Sequence, residues 1–446
     1  MKKRNLFALL VMAAIYNANP ASAQDKKPYE TTVSGVKVIV QPSGNDIVEI
    51  QTVIKGGVEN YPAEKAGIET MAISALTECG TLKHSKNDFK NALDKVSAEL
   101  WGYDTKEYAL IRMNCIKSDF ETVWPLYAEA ITQPAFDAKE FERIKQDAIN
   151  NLKSNDAQPD AAIDKYADKI AFAGRDYAKD PDGKVDIISK LTAAETKAFY
   201  NKILTKSRLV IVVVADLPKA DIEAKVAAML AGVKAGAPFE AKKSFFRVYK
   251  NTFSAEKRDL ATNYVEGITS GPAPGTPDYN AFNVAMRIFA NRHFLDVRTN
   301  NGLSYAPQAW FNTGNTATAR FSVSTTQPDK YIAVFDKLVD KVKTDGFTKE
   351  EVANKKVEYL TGFYYKNETN QAQAAALVSN EVLHNNWMRS VTMVDDIKKL
   401  TTDEVSNAFR KYIGNIVWVY QGDPTKVSPL LFTNGTLNKG AAPVSH

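Results

Sequence analysis

Two runs rich in β-branched residues, 33–41 and 47–54, are punctuated by Gly44 and Gly56-Gly57 and predict strands. From Gly67 the apolar positions Ile68, Met71, Ala72, Ala75 and Leu76 form a single helical stripe that stops near Gly80. A second helix follows, capped by Ser85 or Asn87 and carrying Phe89, Leu93 and Val96. Residues 98–103 and 108–116 then read as two strands with a turn around Asp104 and Lys106. Helical periodicity takes over through Phe120, Trp124 and Tyr127, then Phe141, Ile144 and Leu152, then the alanine-rich stretch 161–173. A short helix begins near Thr192, and residues 209–214, uninterrupted by any polar residue, predict a strand buried on both faces.

After the Gly-, Ala- and Pro-containing stretch 230–238, which predicts a linker, the order repeats. Phe136-Asp-Ala-Lys-Glu-Phe141 returns as Phe347-Thr-Lys-Glu-Glu-Val352, and Leu191-Thr-Ala-Ala-Glu195 as Leu400-Thr-Thr-Asp-Glu404. The apolar strand leading to Asp216 and Pro218 returns at 416–420, leading to Asp423 and Pro424. Three matches in one order predict a tandem duplication of an α+β unit, each a sheet covered by helices. The expected units are 24–230 and 247–432, joined by a linker over 231–246 and followed by a polar tail, 433–446.

Composition adds a compartment. Met1-Lys-Lys-Arg4, an apolar run from Leu6 to Ile15, and Ala21-Ser-Ala23 have the layout of a secretory leader (1–23), which predicts cleavage after Ala23 and export to a periplasm. The leader's cations supply most of the formal net charge of +5, so the rest of the chain is near neutral and offers no basic face for nucleic acid or anionic lipid. No later segment approaches the ~20 apolar residues of a spanning helix. Cys79 and Cys115 are the only cysteines. An exported chain can oxidise such a pair; two buried, separate thiols are the alternative that composition favours.

Candidate chemistry centres on residues 291–305, Asn-Arg-His-Phe-Leu-Asp-Val-Arg-Thr-Asn-Asn-Gly-Leu-Ser-Tyr, where a helical run ends and a strand is expected. Arg298 and Tyr305 lie near one turn, with Gly302 as the φ > 0 residue between the elements. A permanently charged guanidinium and a phenol can together bind a carbonyl oxygen as it becomes an oxyanion. Alternatively, Arg298 caps a helix C-terminus and Tyr305 packs within a strand. Cys79 and His84 are spaced as a candidate thiol pair, but nothing in the sequence would orient the imidazole, and structural roles are expected for both.

Two features resemble the M16 peptidase family of pitrilysin and the mitochondrial processing peptidases. One is the duplicated α+β layout. The other is local: Lys55-Gly-Gly-Val-Glu-Asn-Tyr-Pro-Ala-Glu-Lys-Ala-Gly67 resembles that family's approach to its first helix, and Arg298-x3-Gly302-Leu-x-Tyr305 its C-terminal Arg/Tyr signature. The resemblance implies two metallohydrolase-like domains forming a clam-like shell around a peptide-sized chamber. In active members the first helix carries His-x-x-Glu-His, with a Glu ligand about 70 residues on. Here the first helix, 67–80, contains no histidine, and positions 148–151, where the third ligand is expected, hold no carboxylate. His84, His293, His384 and His446 include no pair with ligand spacing, and Glu69 and Glu78 read as a solvated helix face. The resemblance therefore implies a subunit with no metal of its own. Zinc is expected in a partner, an M16 homologue in a heterodimer or homodimer. Arg298 and Tyr305 would support the transition state in trans on an unfolded peptide added to a sheet edge near 98–103. The rival expectations are a non-enzymatic peptide-binding or assembly protein of the same fold, and a self-sufficient protease with an unrecognised metal site.

Overall fold

A computed structural model describes residues 27–434 apart from Ser244; the leader, His446 and all of the tail beyond Asn434 lie outside the described residues. The first half runs β1 (Tyr29–Val33), β2 (Val36–Pro42), β3 (Ile47–Lys55), α1 (Ile68–Glu78), α2 (Lys86–Asp94), β4 (Glu99–Asp104), β5 (Tyr108–Ile116) and α3 (Phe120–Thr132). It continues through α4 (Ala138–Ala157), α5 (Pro159–Ala171), α6 (Val185–Ile188), α7 (Ala193–Ile203), β6 (Leu209–Ala215) and α8 (Lys219–Leu230). The second half repeats this with β7 (Thr252–Lys257), β8 (Asn263–Ser270), α9 (Asp278–Phe294), β9 (Gln308–Asn312), β10 (Thr318–Thr325) and α10 (Pro328–Asp345). It ends with α11 (Lys349–Lys366), α12 (Asn370–His384), α13 (Arg389–Lys399), α14 (Thr402–Tyr412), β11 (Val417–Gly422) and α15 (Pro429–Thr433).

The sheets are ordered β1-β2-β6-β3-β5-β4 and β7-β11-β8-β10-β9. In each, one pair is parallel, β2 with β6 and β7 with β11, and the other neighbours are antiparallel. The second sheet therefore matches the first without β1. The extra strand exists because Ser34 (φ 51°) and Gly35 (φ 85°) turn the chain back, so the run expected as one strand over 33–41 is two, paired Val33 to Val36.

The repeated sequence patterns are helix starts. Thr192 and Thr401 cap α7 and α14, each accepting from the backbone N–H three residues on. Asp137 and Thr348 cap α4 and α11 in the same way, behind the buried rings of Phe136 and Phe347. These caps supply partners for N–H groups that no helix can satisfy internally, so their recurrence marks equivalent elements.

The halves exchange helices. On β6, Ile211 and Val213 face the first half's own core, whereas Val210, Val212 and Val214 pack with Ile39, Val53 and Leu110 against Ala374, Leu377, Val378 and Val382 of α12. Reciprocally, α5 lies on β8 and β11 of the second sheet. The stretch expected as a linker is docked: Phe246 is buried against Phe172 with ring centroids 4.9 Å apart, and Arg208 stacks on Phe239 at 3.8 Å. Truncating Leu377 to alanine should cost about 2–5 kcal/mol in chemical denaturation. A loss below about 1 kcal/mol would mean that α12 is peripheral to the fold.

Candidate functional site

Helix α9 ends by widening into a π-helical turn over Leu295–Asn300. The turn is closed by Leu303 N–H donating to Val297 O at 2.9 Å, and Gly302 takes φ 62°, the left-handed conformation expected of it. This brings the two candidate residues together, with the Arg298 guanidinium 4.1 Å from the centroid of the Tyr305 ring and 5.1 Å from that of Phe294. Tyr305 is 79% exposed and precedes β9 rather than entering it, so its expected packing within a strand does not occur. The Arg298 guanidinium has no carboxylate or hydrogen-bond partner among the described residues. Stacking fixes the plane of the guanidinium and leaves its N–H edge open to an oxygen ligand.

The helix that resembles the zinc-bearing one, α1, faces α4 across a cleft of about 560 Å³. Thr70, Ser74 and Glu78, four residues apart, line one wall, and Arg143, Asp147 and Asn151 the other. Arg143 occupies the middle of this ion network. Its guanidinium bonds Glu140 at 2.9 Å, Asp147 at 2.8 Å and Glu78 at 3.2 Å, and Lys90 bonds Glu78 at 2.7 Å. A zinc site needs imidazole, thiolate or free carboxylate donors converging on one point. Here the carboxylates are neutralised by fixed cations, and no group of three or more His, Cys, Asp or Glu among the described residues could hold a metal ion.

Glu69 departs from expectation. It is fully buried rather than solvated, and its carboxylate accepts from Asn60 Nδ2 at 3.0 Å. Burial and the neighbouring Asp104 push its carboxyl well up. Burial also pushes Asp104 up to about 7. Thr70 Oγ1 lies 2.6 Å from Pro181 O and 2.9 Å from Asp104 Oδ2. The single Thr70 hydroxyl proton is shared between the two acceptors, the Pro181 carbonyl and the Asp104 carboxyl. Nothing in the sequence signalled this, because Asn60, Asp104 and Pro181 converge only in the fold.

The other candidates are structural. Cys79 and Cys115 are free, buried thiols, each pushed up to about 12 by burial, and they form no disulfide. The His84 ring meets Glu129 at 2.9 Å rather than Cys79. His293 is buried beside Tyr331 at 3.2 Å, and burial lowers it to about 3. β4 is the edge strand of the first sheet and β9 of the second. No helix among the described residues is long and apolar enough to cross a membrane.

Two α+β units with matching strand orders, a first helix without histidine and an Arg/Tyr pair in the second unit define a peptidase-like fold. Residues 37–180 match the family model described as Insulinase (Peptidase family M16), and 190–358 that of the Peptidase M16 inactive domain. The chain belongs to the M16 peptidase family. Among curated proteins, subunit 1 of the mouse mitochondrial cytochrome b-c1 complex is 22% identical over 216 residues, which is 47% of this chain and 45% of that one. The matches thus span less than half the length of the curated relatives. The solved M16 inactive domain from Pseudomonas fluorescens superposes with a TM-score of 0.80 at 18% identity, over 90% of this chain and 99% of that one. The periplasmic protease PqqL from Escherichia coli gives 0.77 at 16% identity, over 89% of this chain and 45% of that one. At such identities the likeness speaks for the fold.

Asp104 holds its proton more tightly when folded, so wild-type stability should fall as pH rises from about 4, the ordinary aspartate value, to about 7, and level off above. Asp104→Asn keeps an acceptor toward Thr70 and cannot ionise. Its stability relative to wild type should grow across that window and reach at least ~1 kcal/mol at pH 8. An advantage that is equal at pH 4 and pH 8 would contradict the protonated state.

Proposed function

We propose that this protein is the non-zinc-binding subunit of an exported two-chain M16 metalloendopeptidase. Its Arg298 and Tyr305 would bind the scissile carbonyl of an unfolded peptide presented at the zinc of a homologous partner, in a heterodimer or homodimer. The observation that carries this reading is the exposed Arg298–Tyr305 stack, 4.1 Å from guanidinium to ring centroid, in a chain whose own first-helix cleft has Arg143 paired with the Glu78 carboxylate. The open edge of β4 is where an extended peptide would add a strand, its main-chain groups pairing with unpaired N–H and C=O groups. The leader sequence supports a periplasmic setting.

A second reading has its own support: the match to the inactive-domain model and to a cytochrome b-c1 complex subunit favours a structural or assembly protein of M16 fold. The two differ in what Arg298 does. Co-purification from the periplasm should recover a zinc-containing chain, and the pair should cleave a quenched fluorescent peptide. Arg298→Ala should lower that turnover about 100-fold, as loss of an oxyanion donor does. It should also leave thermal stability within about 1 kcal/mol of wild type, as expected for loss of an exposed cation–π contact. Unchanged turnover sinks the catalytic role, and lost stability with retained turnover favours the structural reading.

A further inference from the structure

A second cleft, of about 720 Å³, lies between α4 and α5 on one side and the 174–185 loop on the other. It shares only Leu152 with the α1–α4 cleft. Its volume falls in the range of sites that enclose a small ligand. Its wall is apolar, with Ala63, Leu152, Tyr166 and Val185.

The rim is cationic. Lys165 and Lys179 are paired with Asp180 and Asp176, each at 2.7 Å. Lys153, Lys169, Arg175 and Lys184 are exposed and have no carboxylate partner among the described residues. Asp156 and Glu256 are the remaining acids of the lining, so the unpaired charge is net positive.

The floor comes from the other half of the chain. Gln421, 1% exposed, donates from Nε2 to Glu256 Oε2 at 2.5 Å, which fixes the orientation of its amide. Its Oε1 is then a buried acceptor with no donor among the described residues. A buried acceptor left unmet is unfavourable, and a ligand N–H would satisfy it.

We propose that this cleft binds the carboxy-terminal end of an apolar oligopeptide. The terminal carboxylate sits among Lys153, Lys169 and Lys184, the side chains lie on Leu152, Tyr166 and Val185, and a peptide N–H reaches Gln421 Oε1. The charge selects an anion, and the open acceptor selects a peptide over a fatty acid, whose chain has no donor. The site needs no second chain and does not rest on the role of Arg298.

Calorimetric titration of the full chain alone with an N-acetylated tetrapeptide of leucine and phenylalanine tests it, beside the C-terminal amide of the same peptide and dodecanoate. The free acid should bind at least ~10-fold more tightly than the amide and than dodecanoate. The surface double substitution Lys169→Glu with Lys184→Glu should weaken the acid about 10-fold and leave the amide unchanged. Gln421→Leu should weaken acid and amide alike, and the surface pair keeps the test valid if this buried change impairs folding. Absent binding below about 1 mM, equal binding of acid and amide, insensitivity to the lysine reversals, or dodecanoate binding as tightly as the peptide acid overturns the proposal.

Discussion

The exchange of α5 and α12 between the halves is the constraint on which the rest of the molecule depends. A strand as apolar as β6 must be covered on both faces, and the first half covers only one of them with its own helices. Alone, that half would leave Val210, Val212 and Val214 in water, each a loss of about 1.5–3 kcal/mol. A buried ionic group reinforces the joint. Arg320 of β10 bonds Glu266 of β8 at 3.0 Å and also Asp168 of α5, which Lys106 of the β4–β5 turn holds as well. Burial pushes the Glu266 carboxyl well up despite Arg320. Removing one member of such a group strands the charge of the others, which makes it a lock on arrangement more than a source of stability.

This interlocking bears on where chemistry can sit. The cleft between α1 and α4 keeps the geometry of facing helices, but a guanidinium now holds its carboxylates, and a cation already present there opposes a second. Among the described residues, the first half has no group of three or more metal-donor side chains that could hold a metal ion. The accessible unpaired donors of the candidate signature are in the second half, where the π-helical turn over Leu295–Asn300 moves Arg298 out from the end of α9. Such turns rearrange side chains without breaking a helix, and they recur at functional positions.

What could be read from the sequence divides along the range of the interactions. The helix start near Thr192 was legible because a cap is settled within four residues, and the recurring segments 347–352 and 400–404 that exposed the duplication hold the caps Thr348 and Thr401. The doubly buried β6 was legible from its unbroken apolar run. Its covering helix was not, because α12 comes from the other half of the chain. The separation of β1 from β2 turned on Ser34 taking a positive φ, which a serine rarely does. Glu69 looked solvated because its partners Asn60 and Arg208 reach it only through tertiary folding. The absence of a zinc motif and the spacing of Arg298 and Tyr305 were visible directly; their stacking, with Tyr305 exposed ahead of β9, was not.

That stack has an energetic peculiarity. An exposed cation–π contact is worth about 0.5–1 kcal/mol, and an exposed tyrosine with an arginine lacking a carboxylate partner adds little else to the fold. Arg292, six residues earlier, shows what a structural arginine looks like here: its guanidinium bonds both carboxylate oxygens of Glu351, at 2.7 and 2.6 Å, and it stacks on the buried Phe347. The same short segment thus presents one arginine spent on the core and another left with its donors open. Folding stability accounts for the placement of Arg292 more fully than for that of Arg298, whose guanidinium rests on two rings and leaves its N–H edge to solvent or a ligand.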